Sequence, residues 1–236
     1  MPPRNRGKHH NDDKLFNQKW RPILKEAVID LSYLLTKGYG INSALQLVGN
    51  RYRLNTRQQK ALMRLSANRT KLAQRQAKAV SSTLLQGRTV QIDGFNLLIL
   101  LESALSGAYI FKCLDQTYRD ISSVHGSYKR VTKSEEAIIL VGQTLADLAV
   151  AKVQWLLDAP VSNSGRLKTK LLKIATIHNF PWEVQLVNNP DADLVISQEI
   201  VITSDAWILD GCQAWFNLGA YLIDKKLLAA NLIYAE

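Results

Sequence analysis

The sequence predicts an α/β protein: a mostly parallel sheet with helices on both faces, preceded by a small basic all-α domain. Two observations carry that expectation. From residue 89 onward, short β-branched runs alternate with helical stretches, the pattern of a parallel-sheet domain. Before it lies a basic block: residues 1–88 hold 18 Lys and Arg against 4 Asp and Glu, whereas residues 89–236 hold 12 against 16. The expected organisation is a disordered tail over 1–14, a basic helical domain over 15–86 and an α/β domain over 87–236.

Composition excludes several classes. A chain of 236 residues with 47% apolar content buries a core without disulfide staples. Cys113 and Cys212 stand far apart and form no Cys-x-x-Cys pair, which argues against a thiol zinc site. Reduced thiols in a cytoplasmic protein are the expectation. The first ten residues carry no apolar core, so no secretory signal is read. The most apolar stretch, 137–157, is interrupted by Gln143, Asp147 and Lys152 and is not read as a membrane span. The basic block points to a polyanionic partner. A membrane surface is the weaker partner, because the basic helices lack a Trp/Phe/Leu-rich face.

Taken in order, residues 20–37 form an amphipathic helix, with Ile23, Ala27, Leu31, Leu34 and Leu35 on one face and Pro22 in the first turn. Gly38 and Gly40 end it. Asn42 or Ser43 caps a second helix through Val48. Asn55 and Thr56 cap a third, long helix over 57–82. That helix carries Arg57, Lys60, Arg64, Arg69, Lys71, Arg75 and Lys78 with no acid among them. Helical surface faces normally mix signs, so the run reads as a phosphate-backbone contact without base readout.

The α/β part reads as strand 90–93, helix 96–106, strand 109–113, helix 132–151, strand 153–157, helix 164–177, strand 183–187, strand 200–203 and helix 205–223. Residues 114–131 are polar and aromatic without a clear period, and a loop of that length is often functional. His125 lies within it as a loop hydrogen bonder. Residues 227–236 are apolar and dock as a final helix or strand.

The chemistry lies at the joints. Val90 and Ile92 suit a strand, and Asp93 closes it. Gly94 permits a tight turn and Asn96 caps the following helix. Asp158 closes another apolar strand and precedes Ser162, Asn163, Ser164, Arg166 and Lys168. Those residues read either as a capped helix start or as an anion site. Asp191 and Asp193 follow the strand at 183–187, and Asp205 follows the strand at 200–203. Each acid alone reads as a helix cap. Together, at the ends of parallel strands, they lie along one edge and can converge. Converging carboxylates repel, and a hard divalent cation such as Mg²⁺ or Mn²⁺ relieves the repulsion. A metal-bound water then becomes a nucleophile for a phosphodiester. No Walker loop, dinucleotide fingerprint, His-Glu-x-x-His or Gly-x-Ser-x-Gly competes.

Four segments, Ile92-Asp93-Gly94-Phe95-Asn96, Leu157-Asp158-Ala159, Ala192-Asp193-Leu194-Val195-Ile196 and Ile202-Thr203-Ser204-Asp205, resemble the PIN/NYN superfamily of metal-dependent nucleases. The whole chain is similar to an uncharacterised prokaryotic family with a basic helical N-terminal part and a PIN-like C-terminal part, and the loop from Arg119 to Tyr128 shares in that similarity. The resemblance implies a Rossmann-like, PIN-like sheet. It implies Asp93, Asp158, Asp193 and Asp205 as catalytic metal ligands, Asn96 as a site-shaping residue, and RNA rather than DNA as substrate. A further acid on a helix is expected by the same resemblance, with Glu102, Glu135 and Glu136 all open. Asp191 rivals Asp193. Arg57, Lys60 and Arg64, with Ser162, Asn163, Ser164, Arg166 and Lys168, would bind phosphates.

The first hypothesis is therefore a Mg²⁺- or Mn²⁺-dependent ribonuclease. The second is a catalytically inactive PIN-like module that holds RNA or a ribonucleoprotein. The third is a small-molecule enzyme with a phosphate pocket at 162–165.

Overall fold

The computed structural model describes residues 6–122, 128 and 131–236. His125 lies outside the described residues. The N-terminal part consists of α1 (Asp12–Leu15), α2 (Trp20–Thr36), α3 (Ile41–Arg51), α4 (Thr56–Leu65) and α5 (Arg69–Lys78). The single helix expected over 57–82 is two. Asn68 breaks it, because its side chain accepts the backbone N–H groups of Thr70 and Lys71 and so starts α5. The expected cap at Asn55 is present as a full capping box with Gln58.

There follow β1 (Thr89–Asp93), α6 (Gly94–Leu105), β2 (Tyr109–Lys112), β3 (Tyr118–Arg119), α7 (Ser134–Asp147), β4 (Lys152–Asp158), α8 (Ser164–His178) and β5 (Trp182–Val187). The chain ends with α9 (Pro190–Val195), β6 (Ile200–Ile202), α10 (Ala206–Gly211), α11 (Leu218–Lys226) and β7 (Asn231–Tyr234). The helix expected over 205–223 is also two. Between α10 and α11 the chain is drawn out by Trp215, whose indole N–H bonds the Arg75 carbonyl at 2.8 Å. Asn217 then caps α11.

The main sheet has the order β5-β4-β1-β6, with every pairing parallel. This is the α/β architecture the alternation predicts, and its strand order is Rossmann-like. The chain runs outward from β1 through β4 to β5, then returns to add β6 on the other side of β1. The switch point therefore lies between β1 and β6.

Strand alternation divides the core between two faces. Val90, Ile92, Val153, Trp155, Leu157 and Val184 join α6, α7 and α8 in the largest apolar cluster. Leu156 and Val201 face the other way, against α9 and α10, with Leu194, Ile208, Leu209 and Trp215.

A second sheet, of order β3-β2-β7, was not expected as a unit. Phe111 and Ile233 from it share one core with Leu24, Val28, Leu31, Val48 and Leu62 of the N-terminal helices. Ile110 points to the opposite side, toward Leu100 and Ala104 of α6 and Ile223 of α11. The N-terminal helices thus bury their apolar faces on strands from far along the chain, and this core crosses the boundary drawn at 86/87.

Residues 6–14, expected to be disordered, are held in place. Arg57 donates to both carboxylate oxygens of buried Asp12 and to the Gly7 carbonyl. Among the described residues, no helix is long and apolar enough to cross a membrane.

Candidate functional site

β1 ends on Asp93, and α6 begins at the next residue. Gly94 is needed for closeness rather than for an unusual turn. A Cβ there would sit 2.5 Å from Leu157 Cδ2 and 3.0 Å from the Leu156 carbonyl oxygen. Asp93 occupies the cap position of α6, yet its side chain accepts no cap hydrogen bond. Its Oδ2 instead accepts Asn96 Nδ2 at 2.6 Å and Thr203 Oγ1 at 2.8 Å. Asn96, expected as the helix cap, thus reaches back to the acid. Asp93 is 4% exposed. Burial pushes its carboxyl up to about 6 against the two hydrogen bonds, and the charges of Asp191 and Asp205 push the same way.

Asp158 ends the neighbouring strand. Asp93 is in register with Leu156, so Asp158 stands two residues further along β4 on the same face. Its Oδ1 is buried and has no hydrogen-bond partner. Asp205 is the N-cap of α10: Oδ1 accepts the N–H groups of Trp207 at 2.8 Å and Ile208 at 3.3 Å. Its own N–H donates to Thr203 Oγ1 at 3.0 Å.

The acid that α9 contributes is Asp191, not Asp193. Residues two apart on a helix face different ways. Asp193 is exposed. Asp191 is raised first by desolvation, then by the charges of Asp205 and Asp158. Asp193, the expected acid, is thus the exposed one of the pair, and its rival Asp191 is the one that feels the rim charges. Sequence reading left the choice open because α9 is too short to show a period.

The rim thus collects Asp93, Asp158, Asp191 and Asp205 from four separate segments, on the face shared by α9 and α10. It does not gather them around one point. Among the described residues, no three His, Cys, Asp or Glu side chains stand close enough to hold one metal ion. Asp93, Asp158, Asp193 and Asp205, expected as metal ligands, are not such a group among the described residues. The donor chemistry still fits a hard cation. Mg²⁺ keeps several waters and commonly uses only one or two carboxylates with substrate phosphate. The orphaned Asp158 oxygen is the kind of buried acceptor that an ion or water satisfies.

The helix acids play other parts. Glu102 is fully buried and is bound by Arg6, Tyr128 and Ser134. Glu135 pairs with Lys170 at 3.2 Å and Glu136 with Lys133 at 2.7 Å.

The polar run after Asp158 is stitched into its own loop. Ser164 Oγ donates to the Ala159 carbonyl at 3.2 Å, and Asn163 Nδ2 to the Tyr128 carbonyl at 3.1 Å. The Ser162 carbonyl accepts the Tyr128 N–H at 3.0 Å. Arg166 donates to Asn163 Oδ1 at 3.4 Å. No side-chain hydrogen bond caps α8, so the capped-start alternative for this run is not seen. Arg166 is exposed and Lys168 half-buried on its first turns.

The acid-free basic run is balanced by acids from elsewhere. Arg75, 4% exposed, donates to Asp115 at 2.6 Å and Asp210 at 2.7 Å. Lys71 bonds Asp210 at 2.5 Å, and Lys78 its carbonyl at 2.9 Å. Arg57 is held by Asp12. Arg119 also reaches Asp115, whose carboxyl would be raised by burial but is held low by Arg119, Thr117 and Arg75. Arg64 has a buried Nε without a hydrogen-bond partner, while its carbonyl accepts Arg119. Lys60 lies half-buried on α4. Much of the predicted phosphate grip is therefore a clamp between α5 and α10.

Residues 82–221 match the family described as Domain of unknown function (DUF5616). The chain belongs to that family. Residues 23–78 match the family described as Protein of unknown function (DUF434). A relative, Uncharacterized protein MJ0935 of Methanocaldococcus jannaschii, is 36% identical over 188 residues, which cover 79% of this chain and 88% of the relative. No solved structure matches. All four rim acids, with Asn96 and Thr203, lie within the DUF5616 segment.

Proposed function

We propose that this DUF5616 protein is a Mg²⁺- or Mn²⁺-dependent nuclease of PIN-like type that hydrolyses phosphodiester bonds in the cytoplasm, with RNA preferred to DNA. One observation carries the reading. Asp93, Asp158, Asp191 and Asp205 arrive from four segments at the switch-point edge, where burial raises Asp93 and Asp191 and the charges of neighbouring rim acids add to the rise. Repelling acids at a ligand-binding edge favour a cation.

Asp93, Asp158, Asp191 and Asp205 would hold the ion, one or two directly and the rest through its waters. The ion supplies Lewis acidity and a more acidic bound water. Asn96 and Thr203 fix Asp93 so that its carboxylate need not reorient. Asp191, with its raised proton affinity, is suited to accept a proton from the attacking water at its carboxylate. Lys168 and Arg166 on α8 offer positive charge to the flanking phosphates.

The test is cleavage of a labelled RNA hairpin with single-stranded flanks, with Mn²⁺ or with a chelator. Metal-dependent cutting is expected to fall at least 100-fold in Asp93→Asn and Asp191→Asn. Wild-type rates in both variants would overturn the reading. The looseness of the acid set favours one second reading, an inactive module that binds RNA without cutting. Salt-sensitive RNA binding without Mn²⁺-dependent stabilisation or cleavage would identify it.

A further inference from the structure

Trp207 is a large side chain left exposed beside the rim. It is 56% exposed, although the chain buries Trp155 and Trp215 completely or nearly so. Its backbone is not loose: its N–H is bound at 2.8 Å by the rim acid Asp205. The indole is thus presented to solvent from a fixed point two residues from the candidate site.

A second observation indicates what it meets. Asp210 lies three residues further along α10, on the same side as Trp207. Lys71 Nζ sits on Asp210 at 2.5 Å and remains 51% exposed. Beneath it, Arg75 is buried against Asp115 and Asp210 and Arg119 against Asp115, while Lys78 Nζ bonds the Asp210 carbonyl. Going along α10, the surface therefore carries an acidic rim, an exposed indole and the exposed ammonium of Lys71.

We infer that Trp207 is a stacking platform for an unpaired base, so that the ligand of this face is single-stranded nucleic acid, with a phosphate beside Lys71. Stacking on an aromatic face needs a base whose own face is uncovered, which a duplex does not offer. Aromatic platforms flanked by cations are how single strands are held without sequence readout. This rests on the nuclease reading for the identity of the rim, but the ligand class is read from Trp207 and Lys71 alone.

The test is binding with a chelator present, which separates it from cutting. The full chain is titrated with a fluorescent ten-nucleotide single strand, an abasic strand of equal length and a duplex, in RNA and DNA versions. Wild type is expected to prefer the base-bearing single strand. Trp207→Ala should lose about tenfold or more on that strand only, so that it no longer distinguishes it from the abasic one. Trp207→Phe should keep most of the preference, and Lys71→Ala should weaken all strands alike and flatten the salt dependence. Equal binding of base-bearing and abasic strands by wild type, an unchanged preference in Trp207→Ala, or no binding at all overturns the inference. Binding that follows the expected pattern without metal-dependent cutting would retain the inference while removing the nuclease reading. Cutting that is indifferent to Trp207→Ala and to strandedness would do the reverse.

Discussion

Thr203 joins Asp205 to Asp93: its hydroxyl accepts the Asp205 N–H at 3.0 Å and donates to Asp93 Oδ2 at 2.8 Å. One side chain therefore ties the end of β6 to the end of β1 across the switch point. Thr203→Val keeps the shape and removes both bonds. It leaves the Asp205 N–H without its acceptor and Asp93 with Asn96 alone. A loss of about 1–3 kcal/mol in stability is expected by chemical denaturation. Thr203→Ser should recover most of it, which a simple packing defect would not allow.

Asp93 makes the protein pH-sensitive in a specific direction. Its folded carboxyl titrates at about 6, above the 3.8 of the free group. Between those values the folded state holds more protons than the unfolded one, so this group's contribution falls as pH rises. The full difference is about 3 kcal/mol, lost between roughly pH 4 and pH 7. Asp93→Asn retains an oxygen for Asn96 and Thr203 and removes the charge. Without metal, it should melt several degrees above wild type at pH 8 and no higher at pH 4. A variant less stable than wild type at pH 8 would contradict the electrostatic account of the rim.

Asp191 and Asp193 separate cleanly by substitution. Asp191→Asn should reduce Mn²⁺-dependent stabilisation and raise the metal-free melting temperature, since it relieves repulsion with Asp205 and Asp158. Asp193→Asn, on the exposed side of α9, should change neither by more than about 0.5 kcal/mol. Differential scanning fluorimetry with and without 1 mM-scale Mn²⁺ reads both effects.

How much of this was legible in the sequence depends on the range of each interaction. The strand ends at Asp93 and Asp158, the helix start at Asp205 and the cap at Asn55 follow from local patterns, because β-branched runs and capping side chains act within a few residues. The second sheet was not legible, since β2 pairs with β7 across more than a hundred residues, Tyr109 with Asn231. The breaks at Asn68 and at 212–217 were hidden for related reasons: a cap inside a helical pattern in one case, and a distant Trp215–Arg75 bond in the other. Charge showed the same limit. The excess of cations before residue 88 was visible, but not that Asp115 and Asp210 would return to Arg75. Thr203 could have been read as more than a cap from its place beside Asp205, but its partner lies 110 residues away.

Arg75 gives the last and largest prediction. It is buried and bridges Asp115 and Asp210, while its second terminal nitrogen reaches the Ala206 carbonyl at 3.2 Å. Removing it leaves two carboxylates short of a partner, one of them fully enclosed. Stripping one member from a buried charge cluster typically costs about 3–5 kcal/mol, because the remaining charge keeps its desolvation penalty. Arg75→Met should lie in that range by urea denaturation. Arg75→Lys should recover little, since one ammonium cannot span three acceptors in a fixed fork. Lys71→Ala, at the exposed edge of the same cluster, should cost under about 1 kcal/mol. If Arg75→Met and Lys71→Ala proved equally mild, α5 would not be clamped through this residue. The basic run would then return to being a free surface for phosphates.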